Sequence, residues 1–240
     1  MKRRLAGPRS VTEALRANVN QIVVVYFDPQ VRSAAEVAKE AGQRGARVEE
    51  KTARDLDALT PDGLRHQGVL AISGEYSYVD LDELLRQAGE RPLLVALDEI
   101  TDPHNLGAIV RSAVALGANG ILTLKDRAAP VTGAAVRAAA GATEHARIAR
   151  VTNLARTLAE LAERDLQIVG LAGEGETLIS ELPEAPAGRV LVIGSEGKGL
   201  RPLVRKHCHL LARIDLPGAI ASLNASVAAG IALYEASRQR

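Results

Sequence analysis

The chain has 240 residues, 47% of them hydrophobic, enough for one large buried core or two smaller ones, and its net charge of +1 excludes a strong overall pull on nucleic acid. No run approaches eighteen apolar residues, and the opening MKRRLAGPRSVTEAL has basic residues but no apolar core of signal-peptide length, so a globular, cytoplasmic protein without membrane contact is expected. The single Cys208 cannot form an internal disulfide, and the adjacent His207-Cys208-His209 lacks metal-ligand spacing, which argues against a metal site.

In chain order, Ser10 with Glu13 and Ser33 with Glu36 have capping-box spacing, each expected to open a short Ala-rich helix. Between them the β-branched run at 21–27 predicts a strand. Strands at 46–51 and 68–73 and a helix at 52–59, with an Asp at N3, complete a small αβαβαβ unit. The polar segment 74–92 reads as a linker, giving a first domain at 1–73 and a second at 93–240.

From Leu93 the pattern alternates: strand LLVALD, a helix at 106–116, a strand at 120–124, helices at 132–140 and 154–164, and strands at 167–172 and 190–193. A short strand at 214–216 follows, then a long Ala-rich helix opened by Ser222-Leu223-Asn224. Apolar strands without polar alternation predict a parallel sheet covered on both faces, with ligands at the carboxyl ends of its strands. The acidic, Pro- and Gly-containing stretch 173–188 reads as a surface loop with one turn of helix at most.

Two loops carry candidate chemistry. Asp98-Glu99-Ile100-Thr101-Asp102-Pro103-His104-Asn105 leaves a strand and enters a helix bearing Arg111, with Asn105 placed to cap it. A capped helix with a solvated Arg accounts for the same residues. Gly194-Ser195-Glu196-Gly197-Lys198-Gly199 follows another strand, and its three glycines imply a close ligand or a tight chain crossing. Its spacing fits neither a phosphate-binding Walker loop nor a dinucleotide fingerprint. Between Lys125 and Arg156 six basic residues face two acids, and between Lys198 and Arg213 five basic residues face none, which fits either local RNA contact or a solvated face. With one Phe, four Tyr and no Trp, bases would stack mostly on Tyr or Arg.

The motifs around Asp98–Arg111, GSEGKGL, and DLPG with SLNASVA resemble the three motifs of the SpoU (TrmH) class of RNA 2'-O-ribose methyltransferases. The segments HQG, KDRAAPVTGAAVRAAAGATEH and TNLART extend the resemblance nearly end to end, toward bacterial members that methylate a guanosine ribose in the peptidyl-transferase P loop of 23S rRNA. The resemblance implies an α/β fold: a C-terminal parallel-sheet domain tied in a deep trefoil knot, preceded by a small L30e-like RNA-binding domain. It implies catalytic roles for Asn105, Arg111, Glu196, Ser222 and Asn224, and S-adenosylmethionine held by Gly194, Ile214 and Leu223. It also implies 23S rRNA as partner, no DNA, and a homodimer across small-residue helices such as the last, with its stripe Ala225, Ala229, Ala232 and Ala236. The aromatic residue usual in the family before the glycine equivalent to Gly7 is replaced by Ala6. The same chemistry on tRNA or another rRNA loop, and a silent RNA-binding or ribosome-assembly protein, are the alternative readings.

Overall fold

The computed structural model describes residues 2–18, 21–60, 64–220 and 222–239. The chain forms two compact units, Met1–Ser77 with Pro130–His145 and Tyr78–Ala129 with Ala146–Arg240.

The first unit opens with β1 (Arg3–Ala6), α1 (Pro8–Asn18), β2 (Ile22–Phe27), α2 (Arg32–Gln43), β3 (Val48–Glu50), α3 (Ala53–Leu59) and β4 (Val69–Ser73). Its sheet has the order β1-β4-β2-β3, with β4 antiparallel to both neighbours and β2 parallel to β3. Val11, Ala14 and Leu15 recur at helical spacing and are buried with Leu5, Val25 and Leu70. A capping box forms at Thr52: its side chain accepts from Asp55 N while Asp55 accepts from Thr52 N. The two expected at Ser10 and Ser33 do not form. Pro8, with φ fixed for a first helical turn, starts α1 and leaves Ser10 buried inside it, and α2 is preceded by Val31 with no side-chain cap bond.

The second unit contains α4 (Leu81–Ala88), β5 (Leu93–Asp98), α5 (Pro103–Ala115) and β6 (Gly120–Leu124). After the helix α6 (Gly133–Ala138), which belongs to the first unit, it continues with β7 (Ile148–Val151), α7 (Leu154–Ala162), β8 (Gln167–Leu171), β9 (Thr177–Leu178), β10 (Arg189–Gly194), α8 (Pro202–Lys206), β11 (Leu210–Arg213) and α9 (Ala225–Arg238). Its seven strands are all parallel to their neighbours, in the order β7-β6-β5-β10-β8-β11-β9. Leu94, Ala96, Leu122, Val190 and Val192 face Leu84, Leu158, Leu161 and Val204 of α4, α7 and α8. The alternate residues Leu93, Val95 and Leu97 are buried as well, on the face where α5 and α9 pack together.

Three sequence expectations change. The segment 74–92 is not a bare linker: Asp80 caps α4 by accepting from Glu83 N at 2.7 Å, and Leu84 is fully buried in the second unit. The second domain is not continuous either, because residues 130–145 belong to the first unit. There Glu144 takes Arg3 in a buried pair at 2.6 and 3.2 Å, and Arg3 also donates to Gly74 O and Ser73 Oγ. The strand expected at 214–216 lies at Leu210–Arg213, leaving Ile214 and Leu216 in the loop that follows it.

β11 is inserted between β8 and β9, which only residues 172–176 join. That crossing is close: a Cβ on Gly175 would lie 2.6 Å from Leu211 O, and Arg213 donates to the carbonyls of Gly175 and Glu176 at 2.8 and 2.7 Å.

Candidate active site

The carboxyl ends of β5, β10 and β11 converge with the amino ends of α5 and α9. After β5, Glu99 takes a positive φ of 57°, and Asp102, not Asn105, caps α5 by accepting from His104 N at 2.9 Å, with Pro103 in the first helical turn. Asn105 is thereby the third helical residue. It is 8% exposed, and its side chain is free for tertiary contacts.

Those contacts form a triangle. Glu196 Oε1 accepts from Asn105 Nδ2 at 2.9 Å and from Asn224 Nδ2, while Asn224 Nδ2 also donates to Asn105 Oδ1 at 3.0 Å. The other end of the Asn224 amide is fixed as well. Its Oδ1 accepts from Ser226 N, Ser226 Oγ and Val227 N, which makes it the cap of α9. Three distant segments are thus held at one point by polar groups whose orientation is set twice over.

The triangle borders a cavity of about 660 Å³, within the roughly 300–1,000 Å³ range of small-molecule sites. Gly194, Glu196, Ile214, Ser222, Leu223 and Asn224 line it. Gly194 has a steric reason besides any ligand: a Cβ there would meet the backbone of Gly199 at 2.3 Å, because Ser195 and Gly199 exchange both backbone hydrogen bonds and fold the loop on itself.

Of the expected catalytic set, the structure gathers Asn105, Glu196 and Asn224, with Ser222 on the cavity wall. Arg111 stands apart. It lies six residues beyond Asn105, about 240° around the helix and about 9 Å along it, is exposed, and has no ion pair or hydrogen bond among the described residues.

Sequence reading missed two pairs. The acidic stretch read as surface supplies Gly173 and Glu174 to the cavity wall, and Glu174 accepts there from Arg205. The Glu174 carboxyl is held below the usual range, first by its own backbone N–H and then by Arg205. Asp98, fully buried, takes Arg201 Nε at 2.6 Å and Arg201 N at 2.8 Å. A charge ending an otherwise apolar strand was the signal for it. Near by, burial and then Asp98 push the Cys208 thiol up to about 11.

The last helix corrects the small-residue expectation. Ala225, Ala229, Ala232 and Ala236 are buried within the unit, so the stripe is used by the chain itself, and the outward face of α9 carries Val227, Ile231 and Tyr234 instead.

The model of the SpoU rRNA Methylase family matches residues 92–234, and that of RNA 2'-O ribose methyltransferase substrate binding matches residues 4–79. A protein of Mycolicibacterium gilvum, called an uncharacterized tRNA/rRNA methyltransferase, is 43% identical over 98% of this chain and 76% of its own length. YacO of Bacillus subtilis, placed in the TrmH family of tRNA/rRNA methyltransferases, is 39% identical over 98% of this chain and 94% of its own. Among solved structures, the SpoU methyltransferase AviRb of Streptomyces viridochromogenes in complex with AdoMet superposes with a TM-score of 0.81. It is 28% identical, and the match covers 99% of this chain and 90% of that one.

Proposed function

The chain belongs to the SpoU methyltransferase family, and on that premise we propose that it methylates the ribose 2'-hydroxyl of a guanosine in the P loop of 23S rRNA, using S-adenosylmethionine. The observation that carries the reading is the Asn105–Glu196–Asn224 triangle on the rim of the cavity, which a silent binding protein would have no reason to keep.

The cavity residues fit the cofactor. Ile193, Ile214, Leu216 and Leu223 offer apolar surface for a heteroaromatic ring, and the loop of Gly194–Gly199 exposes backbone at close range. When bound, S-adenosylmethionine supplies a methyl group activated by its sulfonium. The protein has to align the 2'-oxygen and give its proton a path. Glu196 fixes both asparagine amides, Asn224 sets the start of α9, and Ser222 stands at the cavity edge. Arg111 grips RNA phosphate and stabilises developing negative charge. A guanidinium holds its proton too firmly to serve as a good general base.

The first unit, with its match to a substrate-binding model, is assigned to RNA recognition as an L30e-like domain. The insertion of β11 between β8 and β9 supports a trefoil knot in the second unit, a departure from the usual avoidance of threaded connections. The exposed Val227, Ile231 and Tyr234 on α9 support a homodimer through that face. No helix among the described residues is long and apolar enough to cross a membrane, and a cytoplasmic enzyme is the matching proposal.

Labelled S-adenosylmethionine incubated with protein-free 23S rRNA tests the reading. One P-loop guanosine resistant to alkaline cleavage is expected. Label on tRNA and none on rRNA moves the substrate to the second reading, which the tRNA/rRNA names of the relatives fit in part. Transfer to neither, with cofactor bound, overturns the proposal for free RNA.

A further inference from the structure

We propose that Asp98 and Arg201 are positioning residues for the transfer, a clamp that closes the Gly194–Gly199 loop and thereby places Glu196. The inference rests on the methyltransferase reading of the cavity.

Asp98 holds both ends of that loop. Its backbone is paired with Gly194, where β10 stops, and its carboxylate takes the backbone N–H and the Nε of Arg201, where the loop ends and α8 begins. The carboxylate is fully buried and the Arg201 side chain is mostly so. The loop between these two anchors is short, is bridged inside by Ser195 and Gly199, and projects Glu196 toward Asn105 and Asn224.

A second carboxylate braces the clamp. Glu99, at positive φ, lies 3.4 Å from Arg201 Nη1 and 2.9 Å from Arg127 Nη1. A non-glycine residue persists in that backbone region only where its surroundings fix it. Asp98 takes the Nε of Arg201 in a hydrogen bond, and Glu99 adds its charge at ion-pair distance without one. Neither acid nor Arg201 reaches the triangle itself, so their effect passes through the loop.

Arg201→Met would leave Asp98 buried without its partner and risks unfolding the chain. The test therefore pairs Asp98→Asn with Arg201→Met, and adds Arg201→Lys as the conservative rescue. Hydrogen exchange over 195–201, cofactor affinity by calorimetry, and turnover at saturating cofactor and RNA are measured on the full chain.

In the paired variant, exchange over 195–201 is expected to accelerate at least tenfold while the rest of the second unit keeps its protection. Cofactor affinity falls about tenfold. Turnover drops about 100-fold even at saturation, as for a misplaced reacting group. Arg201→Lys recovers most of the affinity. Exchange and affinity within about twofold of the wild type, or protection lost evenly across the unit, overturns the clamp. Should the wild type bind no cofactor, the methyltransferase reading fails, and exchange over 195–201 decides the clamp by itself.

Discussion

Glu196 and Asn105 lie 91 residues apart in sequence, yet Asn105 Nδ2 donates to Glu196 Oε1 at 2.9 Å. The contact forms because the loops after β5 and β10, neighbouring parallel strands, leave the sheet at the same end. Replacing Glu196 by Gln changes the partner of both asparagines without changing its size. Turnover is expected to fall about 100-fold. Because Glu196 is exposed, the melting temperature should stay within about two degrees, as for other surface substitutions. Single-turnover kinetics beside a thermal melt check both.

Arg111→Ala separates phosphate grip from fold. The side chain is exposed and has no partner among the described residues, so stability is expected to stay within about 0.5 kcal/mol. Methyl transfer should be lost while RNA binding, measured by filter retention or anisotropy, is retained except for the weakening due to one lost phosphate contact. Unchanged transfer removes Arg111 from the site.

Gly175→Ala tests the crossing under β11. The added methyl would come within 2.6 Å of Leu211 O and 2.7 Å of Ala212 C, both backbone atoms that cannot rotate away. A loss of about 1–3 kcal/mol in urea unfolding is expected, with a matching drop in cofactor affinity because residues 171–174 line the cavity.

Cys208 makes stability depend on alkaline pH. Its folded pKa is raised from 9.0 to about 11, chiefly by burial, so the folded state holds the thiol proton more tightly than the unfolded one. The associated stabilisation is complete below pH 9 and is lost as pH rises through 11. Denaturation midpoints measured from pH 8 to pH 11 should fall, and Cys208→Ala should flatten this part of the profile.

The outward face of α9 is expected to hold two copies together. Light scattering at micromolar concentration should give a dimer, and Tyr234→Glu, which places a charge beside Val227 and Ile231, should give a monomer without lowering the melting temperature of the subunit. A wild-type monomer rules out this face.

Much of the site was legible because its residues are local signals: glycines after an apolar run, a proline at a helix start, an asparagine before an Ala-rich helix. Asn224 caps α9 in that way, whereas Asn105 does not cap α5, because Asp102 and Pro103 fix the start one turn earlier. β1 escaped notice because Arg3 makes it look solvated, and only the distant Glu144 shows how such a charge is buried. The short β7 at the sheet edge escaped too, with Arg150 interrupting its apolar run. The internal use of the alanine stripe in α9 depends on where α5 lies, and no spacing rule carries that.

The buried Arg3–Glu144 pair joins the first strand of the chain to a segment inserted between β6 and β7. The chain passes between its two units three times, after Ser77, after Ala129 and after His145. The first unit is therefore not a bead that one cut releases. A fragment ending at residue 77 would bury a guanidinium without its carboxylate, and a fragment beginning at residue 78 would carry α6 and Glu144 with nothing to cover them. A truncation that respects only the first boundary therefore yields two damaged fragments instead of two domains.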